Sequence, residues 1–132
     1  MKNLFFTTLV AIGFIFSARA DMQVVVSISN QTAWLEDDER ILLTSPVSTA
    51  RKGMHTPTGT FIVSEKEVSH ISTIFHSSMP YFMRLSGEAF GMHAGALPGY
   101  PASHGCIRMP KDKAALFFKN IIVGTSVLIV PN

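Results

Sequence analysis

The sequence predicts a mostly β domain, a sandwich or partly closed barrel, with one helix late in the chain. Short β-branched and aromatic runs separated by turn formers account for most of the residues after Asp21. A single stretch of helical periodicity, about residues 111–121, follows Pro110. No Pro-rich linker, internal repeat or low-complexity tract divides residues 21–132, so one domain is expected there.

Val24, Val25, Val26 and Ile28 form the first strand run, and Ser29-Asn30-Gln31-Thr32 offers a tight reversal into Ala33-Trp34-Leu35. Glu36 to Arg40 reads as a solvated turn, since its carboxylates are not spaced around an ion. Ile41-Leu42-Leu43 starts another strand that Pro46 limits. Thr56-Pro57-Thr58-Gly59 is a turn, after which Thr60-Phe61-Ile62-Val63 resumes the β pattern. Further short strands are expected over Tyr81 to Leu85, Phe90 to His93 and Ser126 to Val130. In the helix, Ala114, Phe117 and Phe118 make the apolar stripe, and Gly124 is the expected stop.

The N-terminus reads as a secretory leader. Lys2 precedes an apolar run, Leu4 to Phe16, broken only by Thr7, Thr8 and Gly13, and Ala18-Arg19-Ala20 has the small-x-small form of a cleavage site. The run is short of the roughly 20 apolar residues that cross a bilayer. An uncleaved anchor is the other reading of the same residues. Asp21 and not Cys follows Ala20, so no lipid attachment is indicated. The expectation is a signal peptide over 1–20 and an exported mature domain over 21–132, in the periplasm or cell envelope, with no membrane contact after cleavage.

Cleavage would remove Lys2 and Arg19 and no acid, bringing 11 basic residues to 9 against 9 acids. A formally neutral domain gives no electrostatic case for nucleic acid or an acidic membrane.

The chemistry gathers between Gly91 and Pro110. Cys106 is the sole cysteine, so an internal disulfide is ruled out; it is an intermolecular partner, a buried bystander or a reactive thiol. Gly105 lets the backbone beside it approach closely, Ser103 and His104 lie just upstream, and His93 precedes them.

The string Ser103-His104-Gly105-Cys106-Ile107-Arg108-Met109 resembles the signature of the L,D-transpeptidase (YkuD-like) family, as does the upstream Gly91-Met92-His93. Thr56 to Phe61 and Pro80 to Arg84 are similar to family segments in the same order, so the likeness runs from about Val24 to Val130. The resemblance implies an L,D-transpeptidase-like β-sandwich and a cofactor-free, metal-free cysteine acyltransferase. Its partners would be peptidoglycan stem peptides and an amine acceptor: a second stem, a D-amino acid or a protein lysine. The family attacks the bond after the third, diamino residue of a stem tetrapeptide, releases D-alanine and holds a thioester that an amine resolves.

Carried onto this chain, the resemblance makes Cys106 the nucleophile and His93 its base. The Ala94 carbonyl would orient the imidazole, and amides around Gly105 and Cys106 would form an oxyanion hole. His104, two residues from Cys106, could itself be a base on an extended segment, whereas the resemblance makes it a positioning residue hydrogen-bonded behind the nucleophile loop. Ser103 reads as a turn-stabilising hydroxyl. Arg108 is either a carboxylate clamp or a structural group fixing the loop. Tyr81 is either a cleft-lining substrate contact or a cross-strand packing aromatic. The loop between His93 and Cys106 is short, leaving little material for a lid. His55, His70 and His76 read as surface loop residues.

Other functions stay open on the same residues. Water could resolve the thioester, making a carboxypeptidase or amidase. A zinc module could use His93, His104, Cys106 and His76, although the spacing matches no common pattern. A wall-binding module without turnover is the remaining class.

Overall fold

The first two β-branched runs become β1 (Met22–Ser27) and β2 (Thr32–Asp37), antiparallel partners with Val25 opposite Trp34. These come from a computed structural model, which describes residues 21–132; the expected leader, residues 1–20, lies outside the described residues. β3 (Arg40–Pro46) follows β2 through Asp38 and Glu39 alone, both in the left-handed region. That is the two-residue turn whose twist suits a hairpin. The turn is therefore narrower than the acidic segment suggested.

β4 (Gly59–Ile71) is far longer than the expected run of Thr60 to Val63. Its first residues pair with β8 (Ser126–Val130), and those from Val63 onward pair with β5 (Ser78–Leu85). A register shift between Val63 and Glu65 marks the handover, where a bulge bends the strand. β6 (Gly91–Ala94) pairs with β5, and β7 (Ile107–Met109) lies parallel to β6 at the end of the order β3-β2-β1-β8-β4-β5-β6-β7. The two halves of this bent sheet enclose one apolar core, the sandwich architecture the sequence predicts. Val24, Val26, Leu35, Val63, Leu85, Met92, Ile107, Met109 and Val127 are among its fully buried members.

The helix α1 (Lys111–Asn120) begins immediately after Pro110 and packs on β5 and β6. Ala114 and Phe117 face the core, and truncating a buried Phe such as Phe117 costs about 3–5 kcal/mol. Asp112 in the first turn and Lys119 in the last suit the helix dipole. The helix stops at Asn120, before Gly124, because Ile121 is already extended. Lys66 of β4 ties off that end, donating from Nζ to the carbonyls of Phe118 at 2.6 Å and Ile121 at 2.7 Å.

Candidate active site

Register places the chemistry. Met92 of β6 lies opposite Ile107 of β7, and both are fully buried in the core. Alternation then sends their neighbours, Gly91 and His93 on one strand and Cys106 and Arg108 beside the other, to the opposite face. There they meet a cleft of about 760 Å³ whose walls include His93, Cys106 and Arg108. The apolar wall comes from Pro57, Phe61 and Phe90, with Phe61 edge-on to Phe90 at 5.3 Å between centroids.

His93 is 4% exposed, and its Nδ1 lies 2.8 Å from the Ala94 carbonyl oxygen. A carbonyl can only accept, so the proton is assigned to Nδ1 and Nε2 is left with a bare lone pair. Among the described residues Nε2 is buried and without a hydrogen-bond partner. Burial holds the imidazole below its ordinary 6.5, partly offset by the bond to Ala94. Cys106 is half-buried, and burial pushes its thiol above 9.0, partly offset by the Gly91 backbone and by the charge of Arg108. At rest the thiol and the imidazole are thus both neutral groups lining one cleft.

Two hydroxyls clamp the turn that carries the thiol. Ser103 Oγ donates to the Cys106 carbonyl at 2.5 Å and accepts from the Gly105 N–H at 3.1 Å. Thr56 Oγ1 donates to the Gly105 carbonyl at 2.8 Å and accepts from the Ala50 N–H at 2.9 Å. Ser103 and Thr56 are both buried. Gly105 has φ +147°, and a Cβ there would stand 3.1 Å from the His55 carbonyl oxygen, so a side chain is disfavoured twice over. On the far side, Ser48 and Arg108 exchange backbone N–H···O bonds of 3.0 Å, and the Ser103 N–H donates to Thr49 at 2.9 Å. The segment around Ser48 to Arg51 therefore anchors both ends of the turn that carries Cys106.

Several sequence expectations change here. His104 is exposed and is not hydrogen-bonded behind the loop; its ring stacks on Phe75 at 4.3 Å and lines the cleft. Tyr81 does not line the cleft. With φ +54° it leaves the strand alternation and sets its ring against Phe118 of α1, centroids 5.6 Å apart. The ring therefore packs, but on the helix and not on a cross-strand neighbour. Because of that irregularity Met79 and Phe82, three apart, both reach the site side: Met79 lines the cleft and the Phe82 ring lies 6.3 Å from His93.

His70 belongs to β4 and not to a loop, bonding Glu67 through Nδ1 and stacking on Phe82 at 4.2 Å. His76 is exposed at the hairpin tip, while His55 is exposed but lines the cleft. Ile74, Phe75, Ser77 and Ser78 of the β4–β5 hairpin supply a cleft wall, in addition to Gly95, Ala96 and His104 from the short loop before Cys106. Arg108 presents its side chain to the cleft with its stem over Gly95, while its backbone alone makes the structural bonds to Ser48. Thr56 was hidden in the sequence because it reads as ordinary turn chemistry. Among the described residues no three His, Cys, Asp or Glu side chains come together as metal ligands.

The model of the YkuD family, the L,D-transpeptidase catalytic domain, matches residues 21–129. The chain belongs to this family. A Bacillus licheniformis relative named "Putative L,D-transpeptidase YkuD" is 26% identical over 112 residues, covering 83% of this chain and 66% of the relative. An L,D-transpeptidase from Stackebrandtia nassauensis superposes with a TM-score of 0.78 at 22% identity, over 85% of this chain and 56% of that one. L,D-transpeptidase 3 from Mycobacterium tuberculosis, solved with a faropenem-derived adduct, gives 0.73 at 23% identity, over 83% of this chain and 60% of that one. This YkuD-family chain thus spans less than two thirds of the length of these relatives.

Proposed function

We propose that this chain is an exported peptidoglycan L,D-transpeptidase that moves an acyl group from a stem tetrapeptide to an amine through a thioester on Cys106. The observation that carries it is the bare, buried Nε2 of His93 on the wall that also presents the Cys106 thiol. The family membership and the secretory character of residues 1–20 support the same reading.

In the first half-reaction Nε2 takes the thiol proton as sulfur attacks the carbonyl of the third residue. The new C–S bond forms, the C–N bond to D-alanine breaks, and Nε2–H protonates the departing amine. In the second half-reaction an acceptor amine attacks the thioester carbonyl and gives its proton to Nε2. The C–S bond breaks and the thiol regains a proton. Base catalysis of this kind contributes about 10²- to 10⁴-fold. The Ala94 carbonyl keeps the proton on Nδ1 through both halves.

Oxyanion stabilisation falls to the Cys106 amide, because the Gly105 amide is already engaged by Ser103. Arg108, with its backbone alone committed to Ser48, is free to grip a substrate carboxylate from the cleft side. Purified residues 21–132 incubated with a disaccharide-tetrapeptide test the function by product mass. Cross-linked dimers are expected and Cys106→Ala abolishes them; tripeptide alone would mean that water resolves the thioester. Unchanged tetrapeptide would remove the proposed substrate.

A further inference from the structure

Glu88 is the one carboxylate among the described residues that line the cleft. It sits in the turn between β5 and β6, and the backbone of that turn is fixed. Ser86 N–H donates to Ile62 at 2.7 Å, Gly87 N–H to Ser64 Oγ at 2.8 Å, and Glu88 N–H to Leu85 at 2.9 Å. Arg84 adds a bond from Nη1 to the Glu88 carbonyl at 2.9 Å, while its Nε goes to Glu65 at 3.0 Å. The adjacent guanidinium thus holds the Glu88 backbone and pairs with a different acid. The ion pairs among the described residues are Glu67–His70 and Glu65–Arg84, and Glu88 enters neither. An exposed, unpaired carboxylate lining a largely apolar cleft, on a turn whose backbone is hydrogen-bonded, is suited to a cationic ligand group.

We propose that Glu88 is a specificity-determining residue of the cleft, taking the side-chain ammonium of the third, diamino residue while that residue's carbonyl faces Cys106. Chain distance allows it: Glu88 is three residues from Gly91, whose backbone meets the thiol, a separation of at most about 11 Å. A glutamate side chain and an extended alkylammonium chain are together long enough to span a gap of that size. The cleft then reads its substrate at two charged points, Glu88 for the ammonium and Arg108 for a carboxylate. This assignment depends on the acyl-transfer function proposed above.

The test compares a stem tetrapeptide carrying a free side-chain amine at its third residue with its N-acetylated counterpart. D-Alanine release is followed, with excess hydroxylamine resolving the thioester in every arm. Wild type and Glu88→Asp should show KM about fivefold higher for the acetylated peptide, the size of an exposed charge pair. Glu88→Gln should raise KM for the free amine about fivefold and treat the two peptides alike, with kcat within about twofold of wild type. The preference in wild type should shrink as salt rises. Glu88→Gln keeping the wild-type preference, or wild type showing none, overturns the assignment. D-Alanine released from neither peptide by wild type overturns the acyl-transfer function and this assignment with it.

Discussion

Gly91 lies so close to Met83 that a Cβ built on it would stand 2.2 Å from the Met83 carbonyl oxygen. The two strands can pair at this point only because residue 91 has no side chain, and the Gly91 backbone is also the contact that meets the Cys106 thiol. Gly91→Ala must push β6 away from β5. The expected outcome is a loss of about 1–3 kcal/mol in denaturant unfolding, together with slowed alkylation of Cys106. Unchanged stability with unchanged alkylation would show that the strands tolerate the shift.

Thr56→Val removes the buried hydroxyl that links the Ala50 amide to the Gly105 carbonyl in the turn that carries Cys106. Two backbone groups lose their partner, at about 1–3 kcal/mol for each buried group left unpaired. The denaturation midpoint should fall, kcat should fall with it, and Thr56→Ser should restore both. A Thr56→Val protein as active as wild type would dissociate the clamp from catalysis.

Burial lowers the His93 pKa, so Nε2 becomes protonated only as pH falls below 6.5. Burial raises the thiol above 9.0, so no thiolate–imidazolium pair forms at neutral pH. The kcat/KM profile should therefore hold its plateau down to pH 6.5 and lose activity below it. Thiolate absorbance assigned by comparison with Cys106→Ser should develop only on the alkaline side. Thiolate absorbance already present at pH 6 would reverse the assignment of resting protonation states.

His93 and His104 separate by consequence. His93→Ala removes the proposed base and should lower kcat/KM by about 10²- to 10⁴-fold. His104→Ala removes an exposed ring stacked on Phe75 and should cost less than about tenfold, since such aromatic contacts contribute about 0.5–1.5 kcal/mol. Equal losses for the two variants would make His104 part of the proton path.

The fold was legible where the apolar pattern is strong. Val24 to Val26, Ala33 to Leu35 and Ser126 to Val130 are interior strands whose buried residues announce them. The outer part of β4 was not, because Glu65, Lys66, Glu67 and His70 carry the polar surface of a hairpin arm that buries little. Its ladder is held by backbone pairing to β5, which leaves no hydrophobic signature. β7 is three residues long and sits inside the motif, so no strand period could be read there. At the site, the Ser103-His104-Gly105-Cys106 turn and His93 stand out as residue types that a bland core rarely gathers. Tyr81 was ambiguous because its orientation depends on a left-handed backbone angle, which sequence spacing does not encode. Thr56 and Glu88 come from segments distant in sequence, and only the folded chain places them beside Cys106 or in its cleft.

The central claim is that the Cys106 sulfur carries an acyl group after losing its proton to His93. Intact-mass analysis of residues 21–132, quenched in acid seconds after mixing with stem tetrapeptide, reads that event directly. The expected result is a tripeptide acyl adduct on Cys106 that forms with stoichiometric D-alanine release and accumulates far more slowly in His93→Ala. D-Alanine released by a Cys106→Ser protein at the wild-type rate, with no adduct on the wild type, would contradict it.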